Sequence, residues 1–530
     1  MVSVVLIDGY TDEPAALGVR PYISPMARAT AGAARACGAT VTYLTIDDLR
    51  GGEEVPRADV SVLLGGMAVP GKYLRSMPAS GREIADIAEA MPGVRVLGGA
   101  AARDVTEGFD HLAFNDLAAS VHDIIAKRER TQRWRTLEEW NDWMLRGADI
   151  VQRHPDFPHP LIVEVETYRG CHRYRSGGCS YCIEPLKGRP LTREPEDIIA
   201  EVRELVQIGV RNVRLGGQTC IVSYKAHEDD VPTPDPEAVG RLFSGLSSLG
   251  LEVLHVDNAN PAVIAEHPEE ARAVLRTLVE HCTSGNVLAL GMESADPRVI
   301  EENNLNSTPA QVMAAIRMIN EVGGERGANG LPKLLPGLNL IAGLDGETAA
   351  TYDLDLQFLK EVLDAGLALR RINIRQVMPV RREFTTKVSH SRFIRFKQRV
   401  REEVDHVMLR RMLPEGTVLR DVLTELHDGN TTFGRQVGTY PLLIGIPYRV
   451  ELERRMDVKV IGWGHRSITA VEYPLDVNHA SLSALVSLPG VGRKRAARIV
   501  RERPFRDLGS LAKALDDDRV AEALSEYMSF

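Results

Sequence analysis

The sequence predicts an α/β protein built of several domains, and three observations lead to this prediction. Up to about residue 400, short apolar runs alternate with helical stretches, which is typical of parallel sheets with crossover helices. The stretch 415–478 is rich in Gly, Thr and β-branched residues, as in a small β-barrel. Residues 479–530 contain two short helices around a Gly-rich hinge. A chain of 530 residues is too long for one hydrophobic core.

Residues 1–111 are predicted to form a doubly wound, Rossmann-like domain, and residues 112–155 a helical linker. Helices are expected at Met26–Cys37 and Gly81–Ala90. The runs that would fill a buried parallel sheet are Val4–Ile7, Val41–Thr45, Val60–Leu64 and Val94–Leu97. The linker has three aromatic residues that we expect to pack one domain against the next, namely Trp134, Trp140 and Trp143.

Residues 156–402 are predicted to form a partial TIM-type (β/α)6 barrel. Leu161–Thr167 reads as the first strand, and the helix expected at Glu196–Ile208 stops at Gly209. In such barrels the chemistry gathers at the carboxyl ends of the strands. The five further strands are expected at Val210–Leu215, Glu252–Val256, Val287–Gly291, Gly337–Ile341 and Arg371–Val377.

Composition limits the class of protein. The net charge of −9 gives no overall sign of nucleic-acid binding, so any basic surface has to be local. No run of about 18 apolar residues is present, so no transmembrane helix is expected. The N-terminal MVSVVLIDGY lacks the basic region of a signal peptide, and we therefore expect a cytoplasmic protein.

Three of the six cysteines, Cys171, Cys179 and Cys182, lie within twelve residues. In a cytosolic chain such clustering indicates a metal site rather than disulfides. Three thiolates on one Gly-containing loop can bind three irons of a cubane and leave the fourth iron to an exchangeable ligand. A structural zinc site is the alternative, with His172 as fourth ligand. Because His172 is adjacent to Cys171 in the sequence, the two side chains are poorly spaced to bind one ion.

This loop resembles that of the radical S-adenosylmethionine (SAM) superfamily, whose usual pattern is Cys-x3-Cys-x-aromatic-Cys. Tyr181 occupies the aromatic position, whereas the first gap here is seven residues. The resemblance implies a [4Fe-4S] cluster whose free iron chelates SAM and cleaves it reductively to a 5′-deoxyadenosyl radical. It also implies an electron donor such as ferredoxin or flavodoxin.

The resemblance implies SAM-binding residues after four of the predicted strands. Gly216-Gly217-Gln218 is similar to the segment that binds the methionine amino group, and glycine there permits close backbone approach. Glu293-Ser294 resembles the Gly-x-Glu-Ser segment whose carboxylate and hydroxyl face the cofactor; a surface acid is the alternative. The remaining predicted cofactor residues are Tyr181, Asn339, in a Gly-x-x-Gly-Glu-Thr-like stretch to Thr348, and Arg375.

The N-terminal domain resembles the cobalamin-binding-like domain that precedes many radical SAM domains, notably over Gly18–Pro25. The cobalt-ligating motif Asp-x-His-x-x-Gly is missing, because the first histidine is His111. Cobalamin is therefore not expected as a cofactor, and the domain is interpreted as a remnant or repurposed scaffold.

Cys220, just past the glycine pair, is the candidate catalytic residue. It could carry a methyl group, ligate a second cluster or quench a radical; the alternative is a small buried hydrophobe, the commoner environment of free cysteine. Methylthiotransferases hold a second cluster with three N-terminal cysteines. Only Cys37 is available here, which disfavours that reaction.

The C-terminal residues Leu488–Ala496 resemble the hairpin of a helix–hairpin–helix motif, in which backbone N–H groups at a helix N-terminus meet a phosphate. The alternative is a hairpin used only for protein packing. Arg392–Arg401 is a second basic stretch, which either tracks a phosphate backbone or is a solvated helix face. The region 415–478 resembles a TRAM-type RNA-binding barrel. The predicted nucleic-acid contacts are Gly490, Gly492, Arg493, Lys494 and Arg495.

Together these modules resemble archaeal radical SAM proteins with a C-terminal helix–hairpin–helix. The resulting hypothesis is a radical SAM enzyme that modifies tRNA or rRNA, with RNA preferred over DNA as partner. The alternatives are a radical SAM enzyme for a small molecule or protein side chain, and a non-catalytic metal-containing nucleic-acid-binding protein.

Overall fold

The structure is a computed structural model that describes residues 1–10, 22–66, 73, 75–105, 107–128, 132–229, 231–515 and 517–530. Residues 18–21 of the Gly18–Pro25 stretch lie outside the described residues. Contacts divide the chain into a first unit, 1–288 with 438–440, and a second unit, 289–437 with 441–530. This division is coarser than the five predicted regions, whose boundaries remain predictions. The α/β class and the small β-barrel are confirmed.

The N-terminal region of the first unit is a parallel sheet in the order β3-β1-β4-β5-β6. This is a doubly wound order, with the topological switch between β1 and β4. All four predicted strands and both predicted helices are present. The strands are β1 Ser3–Gly9, β2 Tyr22–Ile23, β3 Thr40–Thr45, β4 Val60–Gly65, β5 Val94–Gly98 and β6 His111–Ala113; the helices are α1 Pro25–Ala36, α2 Ile46–Arg50, α3 Gly81–Ala90 and α4 Leu117–Ile125.

The linker aromatics pack as expected against the N-terminal region. Helix α5, Leu137–Arg146, begins at a Thr136 capping box and buries Trp140 and Trp143 against alanines of α1 and α4. A Cβ on Gly32 of α1 would lie 1.8 Å from the Trp143 carbonyl oxygen, so the two helix backbones touch. Glycine is required at this crossing.

The six predicted barrel strands are all present, in two sheets. In the first unit the sheet order is β11-β10-β7-β2, so β2 extends this sheet rather than the N-terminal one. Most of β12 lies in the second unit, where the order is β12-β13-β14. The strands are β7 Ile162–Glu166, β8 Tyr168–Arg169, β9 Leu191–Thr192, β10 Asn212–Gly216, β11 Val253–Val256, β12 Asn286–Glu293, β13 Leu334–Ala342 and β14 Arg371–Gln376.

Seven helices follow these strands in the alternation that the sequence predicts. Several begin with proline at the first helical position, where its missing N–H costs no hydrogen bond. Their bounds are α6 Pro195–Gln207, α7 Pro236–Ser247, α8 Pro261–Glu266, α9 Pro268–His281, α10 Pro297–Glu302, α11 Pro309–Gly323 and α12 Ala349–Asp364.

The C-terminal part of the second unit contains a closed barrel of five strands in the order β15-β16-β17-β19-β18. The two helices that precede the barrel are joined by a π-helical turn at Arg401–Asp405. After it, β20 and β21 pair and enclose four short helices. The elements are α13 His390–Val400, α14 His406–Met412, β15 Val418–Asp428, β16 Thr431–Gln436, β17 Leu443–Ile446, β18 Arg455–Trp463, β19 Ser467–Glu472, β20 Leu475–Asp476, α15 Leu482–Val486, α16 Arg493–Glu502, α17 Leu508–Leu515, α18 Asp518–Ser525 and β21 Met528–Ser529. None of the helices formed by described residues combines the length and apolar character needed to cross a bilayer.

Candidate active site

The three clustered cysteines lie on a loop closed by a small antiparallel pair. Strands β8 and β9 pair Tyr168 with Thr192 and Arg169 with Leu191, so the chain between them returns to its starting point. Positive φ angles at Gly170, Gly177 and Gly178 turn the loop, and glycine adopts these angles without steric cost. The loop therefore leaves the carboxyl end of β7, where a barrel enzyme carries its chemistry.

The loop supplies the donor set that an iron–sulfur cluster requires. Cys171, Cys179 and Cys182 are half-buried thiols outside any disulfide, and the Arg173 guanidinium donates a hydrogen bond to the Cys179 Sγ at 3.3 Å. Burial raises the pKa of the Cys171 thiol, against which the Arg173 backbone N–H and positive charge act. Positive charge beside a thiolate stabilises its ligating form. The three thiols and this cation fit a cluster chemically.

Among the described residues no three His, Cys, Asp or Glu side chains are grouped as a ready-made metal site. Gly170, Gly177 and Gly178 give the loop backbone conformational freedom. His172, the proposed fourth zinc ligand, is engaged elsewhere. Its ring lies 6.2 Å from that of Tyr168, edge to face, and bonds the Ser223 backbone. These contacts orient the ring and leave one ring nitrogen for a metal, so the zinc alternative stays open.

Gly216, the last residue of β10, and Gly217 lie against two glutamate side chains of β7, and their contact with the cofactor stays a prediction. A Cβ on Gly216 would lie 1.9 Å from the Glu164 Oε1, so a larger residue would displace that carboxylate. Gly217 has φ +75°, and its Cβ would approach the Glu166 Cγ to 3.0 Å. Gly217 is exposed whereas its neighbours are buried. Its backbone is thus the part of the segment that a ligand can reach.

Gln218, predicted to contact the cofactor, is instead 1% exposed and holds the loop together. Its Oε1 accepts a hydrogen bond from the Thr167 hydroxyl, and its Nε2 donates to the Leu215 and Asp257 carbonyl oxygens. The Asn258 amide donates to the Gln218 carbonyl. The Gln218 side chain therefore positions the glycines, because its amide group is already saturated. Tyr181 is half-buried beside Cys182.

Cys220 lies in the interior rather than at an open mouth. Its side chain is buried, and its Sγ accepts a hydrogen bond of 3.2 Å from the Asn260 N–H. The Tyr168 hydroxyl accepts from the Cys220 N–H and donates to its carbonyl oxygen, each at 2.8 Å. Burial raises the pKa of the Cys220 thiol. This environment matches the structural alternative for Cys220, and a catalytic role stays a prediction.

A buried polar network follows the third barrel strand, and its residues were not predicted from the sequence. Arg214 Nη2 and the Tyr440 hydroxyl both donate to Asp257 Oδ2, at 2.9 and 2.5 Å. Asn258 follows with φ +56°, an uncommon conformation outside glycine. The signal in the sequence was the polar run Asp257-Asn258-Ala259-Asn260 at the carboxyl end of a predicted strand.

In the second unit, Glu293 ends β12 in a strained conformation. Its φ is +63° and its side chain is 6% exposed. The carboxylate folds back over Gly291, whose Cβ would meet the Glu293 Oε1 at 2.9 Å. Left-handed backbone at a bulky residue costs about 1–3 kcal/mol and is concentrated at functional sites. The contact of Glu293 with the cofactor stays a prediction.

Ser294 differs from the expectation that its hydroxyl faces the cofactor. The hydroxyl donates to the Asp355 Oδ1 at 3.1 Å and accepts from the Asp296 N–H. Burial raises the pKa of Asp355 to about 7, and the Ser294 side chain is 1% exposed. In this structure the hydroxyl shapes the turn into α10, because it is fully enclosed between the strand end and α12.

Asn339 and Arg375 lie on adjacent strands β13 and β14. The Asn339 Oδ1 accepts a hydrogen bond of 2.9 Å from the Asn373 Nδ2. Arg375 is exposed at the carboxyl end of β14, paired in register with Ile341. The following turn is self-contained, since the Glu347 Oε2 accepts from the Gly343 N–H at 2.6 Å. Cofactor contacts of Asn339 and Arg375 therefore remain predictions.

The C-terminal hairpin has the conformation that its glycines predict. Gly490 has φ +75°, and Gly492 precedes α16 without a side-chain cap. Arg493 and Lys494 are exposed. Arg495 differs, because it donates to the Gly490 carbonyl oxygen at 2.8 Å and pairs with Asp517 at 2.7 Å. It therefore stabilises the hairpin.

Three basic or aromatic side chains in the small barrel and in the stretch 392–401 are buried and therefore not available to RNA. Arg435 of the small barrel is fully buried and pairs with Glu425 at 2.6 Å. In the stretch 392–401, Phe393 and Phe396 are buried beneath α13, so they are not available to stack on bases. Burial of a large side chain is decided by neighbours that the local pattern does not reveal.

Comparison with known proteins places these features in a family. Residues 165–359 match the Radical SAM superfamily. An uncharacterized protein of Methanocaldococcus jannaschii is 43% identical over 88% of this chain and 92% of its own length. Another, from Archaeoglobus fulgidus, is 41% identical over 93% of this chain and 94% of its own.

More distant similarities are partial. The tRNA-2-methylthio-N(6)-dimethylallyladenosine synthase of Chlorobium chlorochromatii is 27% identical over 37% of this chain and 39% of its own length. The solved radical S-adenosylmethionine methyltransferase TsrM of Kitasatospora setae aligns over 71% of this chain and 73% of that one, with 15% identity and a TM-score of 0.48. The chain belongs to the radical SAM superfamily, in the same family as the two archaeal proteins.

Proposed function

We propose that this protein modifies RNA, either tRNA or rRNA, by radical SAM chemistry. The observation that carries the RNA assignment is the hairpin before α16. Its glycines free the backbone N–H groups at a helix N-terminus, which is a phosphate-binding arrangement. Exposed Arg493 and Lys494 add positive charge at the same point. A hairpin used only for packing has no need of two exposed cations there.

We propose a separate role for each group of residues in the candidate site. Cys171, Cys179 and Cys182 hold the [4Fe-4S] cluster, the Gly217 backbone receives the methionine end of SAM, and Glu293 faces the cofactor. When bound, the cluster and SAM supply the reductive cleavage that the family uses. The chain's own contribution is to bind and orient these groups and to exclude water. Arg173 balances thiolate charge at the loop.

The partial similarity to tRNA-2-methylthio-N(6)-dimethylallyladenosine synthases supports an RNA substrate. Methylthio transfer itself is not proposed, because the second cluster of that reaction needs three N-terminal cysteines and this chain has Cys37 alone in that region. Cys37 is half-buried at the end of α1. We infer a different group transfer, such as methylation or another sulfur insertion.

We also propose that the N-terminal sheet works without cobalamin, since the cobalt-ligating motif is missing. The solved methyltransferase from Kitasatospora setae has been seen with cobalamin and a [4Fe-4S] cluster, so a direct test is needed. Protein purified with hydroxocobalamin and passed through gel filtration should retain no corrinoid absorbance. Stoichiometric retention would contradict this proposal.

We further propose that the electron donor is a ferredoxin or flavodoxin and that the protein works in the cytoplasm.

The experiment that tests the function compares RNA from a deletion strain with RNA from the parent. Mass spectrometry of tRNA and rRNA nucleosides should reveal one modification that disappears with the gene and returns with the wild-type copy, but not with Cys179→Ala. A parallel assay measures 5′-deoxyadenosine release by the reconstituted protein under reducing conditions. Release without any changed nucleoside would favour a small-molecule or protein substrate.

A further inference from the structure

A second basic surface lies at the carboxyl end of β14 in the second unit. Between positions 375 and 395 the sequence has six Arg or Lys residues and one acid, Glu383. We call this stretch the basic segment. A net charge of this size on 21 residues contrasts with the net −9 of the whole chain. Local positive charge of this kind marks a polyanion-binding surface.

The basic segment is anchored above the turn that follows β13. A Cβ on Gly343 would lie 2.7 Å from Val388 Cγ2 and 3.1 Å from Val377 Cγ1, so both ends of the segment cover this glycine. Asp345 in the same turn accepts hydrogen bonds from the Thr385 N–H and hydroxyl at 2.8 and 2.7 Å. The segment therefore lies at the carboxyl ends of two barrel strands.

Asp345 also pairs with Arg382, at 2.9 Å. Burial alone would raise the pKa of Asp345, but the hydrogen bonds from Thr385 and the charge of Arg382 hold it below its usual value. The Arg382 guanidinium lies 4.9 Å above the Phe384 ring. One cation of the segment is thus used to hold the segment in place.

Four other cations of the segment are exposed and, among the described residues, have no ion-pair or hydrogen-bond partner. They are Arg375, Lys387, Arg392 and Arg395. Elsewhere, exposed arginines such as Arg241 and Arg298 pair with a glutamate on the same helix. Exposed cations close in sequence and without acidic partners repel one another, and a polyanion removes that cost.

Apolar side chains accompany these charges. Met378 and Ile394 are each 50% exposed, and Phe384 is half-buried beneath Arg382. Single-stranded nucleic acid binds to surfaces that combine cations for phosphates with apolar or aromatic faces for bases. An acidic protein partner would need the positive charges but not the exposed apolar side chains beside them.

We propose that the basic segment, 375–395, holds the phosphate backbone of the RNA substrate beside the carboxyl ends of β13 and β14. This inference rests on the proposed function and adds a surface of the second unit that binds the RNA. Arg392 and Arg395 contact phosphates from the first turns of α13. Their helix is held by buried Phe393 and Phe396, so these cations project from a rigid support.

Binding of fluorescein-labelled unfractionated tRNA tests the proposal. The double variant Arg392→Glu, Arg395→Glu should weaken binding by about tenfold or more at 100 mM salt and reduce the slope of log K against log salt by about 1.4, because two phosphate contacts are lost. The matched control is Arg241→Glu, Arg276→Glu, which makes the same charge change on exposed positions of α7 and α9. It should bind within about twofold of the wild type.

The outcomes separate the two proposals. If the wild type binds tRNA and the segment variant binds it equally well, the inference is wrong while the RNA function stands. If tRNA binding is lost only in the double variant Arg493→Glu, Lys494→Glu, the binding belongs to the hairpin. If the wild type binds no RNA, the proposed function fails. A third outcome is that the wild type binds vesicles containing phosphatidylserine, that the segment variant does not, and that both bind tRNA equally. This outcome would assign the surface to a membrane and contradict the inference. Melting temperatures near wild type show that each variant folds.

Discussion

The Tyr440 hydroxyl donates a hydrogen bond of 2.5 Å to the Asp257 carboxylate, 183 positions earlier in the chain. The Thr439 N–H donates to the His255 Nδ1 at 3.1 Å, and a Cβ on Gly438 would meet the His255 Cε1 at 2.9 Å. Residues 438–440 therefore belong to the first unit although β16 and β17 on either side belong to the second. Residues 438–440 complete the polar face of β11.

Removing the Tyr440 hydroxyl should destabilise the first unit. Tyr440→Phe leaves the buried Asp257 carboxylate with one donor fewer, and a hydrogen bond to a charged group contributes about 1.5–3 kcal/mol. Urea unfolding should show a loss of that size. The control is Tyr473→Phe, because the Tyr473 hydroxyl has no hydrogen-bond partner among the described residues. Equal losses in both variants would argue against the Asp257 contact.

Two buried histidines predict a pH dependence. Burial lowers the pKa of His255 and of His154 to about 4, below the usual value of about 6.5. The unfolded chain then binds more protons between pH 6.5 and 4. The stability that the neutral rings contribute is complete above pH 6.5 and is lost as the pH falls, by up to about 1.4 kcal/mol per pH unit for each histidine.

Urea unfolding of the wild type and His255→Gln at pH 7.5 and 5.5 checks this expectation. Asp8, whose pKa burial raises to about 6, acts in the opposite direction over the same range, so the difference between variant and wild type is the relevant quantity. The variant should lose less stability on acidification. An identical loss in both proteins would mean that His255 titrates normally.

Gly217→Ala tests the cofactor surface apart from backbone strain. Alanine at φ +75° costs about 1 kcal/mol or more, and its Cβ would also press on the Glu166 Cγ, 3.0 Å away, and so displace the backbone that is proposed to receive SAM. Gly250→Ala is the control for the cost of the φ angle, since it has the same φ and nothing within 4 Å of its Cβ. Both variants should lose stability, but SAM binding measured by calorimetry should weaken with Gly217→Ala alone. Weakening in both would point to an indirect effect of stability.

The cysteines should separate into ligands and structural residues. Cys179→Ala should lose bound iron and the broad absorbance near about 400 nm that is typical of such clusters. Cys220→Ala should keep both, because the Cys220 Sγ already accepts the Asn260 N–H in the interior. Cys282→Ala, a buried cysteine away from the loop, is the control. Iron loss with Cys220→Ala would revive its role as a ligand.

The sequence by itself determined the order of the elements and the motif positions. The strands of the N-terminal sheet and of the barrel appear within a few residues of their predicted bounds, because apolar periodicity and glycine stops act locally. The cysteine loop, Gly216-Gly217 and the Gly490 turn were readable for the same reason. Each depends on conformational preferences of neighbouring residues.

Only the tertiary structure decided which polar side chains remain available. Gln218, Ser294 and Arg495 look like ligand-binding residues in the sequence, yet hydrogen bonds to distant carbonyls and carboxylates occupy them. The hydrogen bond between Tyr440 and Asp257 could not be predicted from the sequence either, because contacts across 183 residues depend on chain topology. A buried polar group must find a partner wherever the fold brings one, and local sequence does not specify where that partner lies.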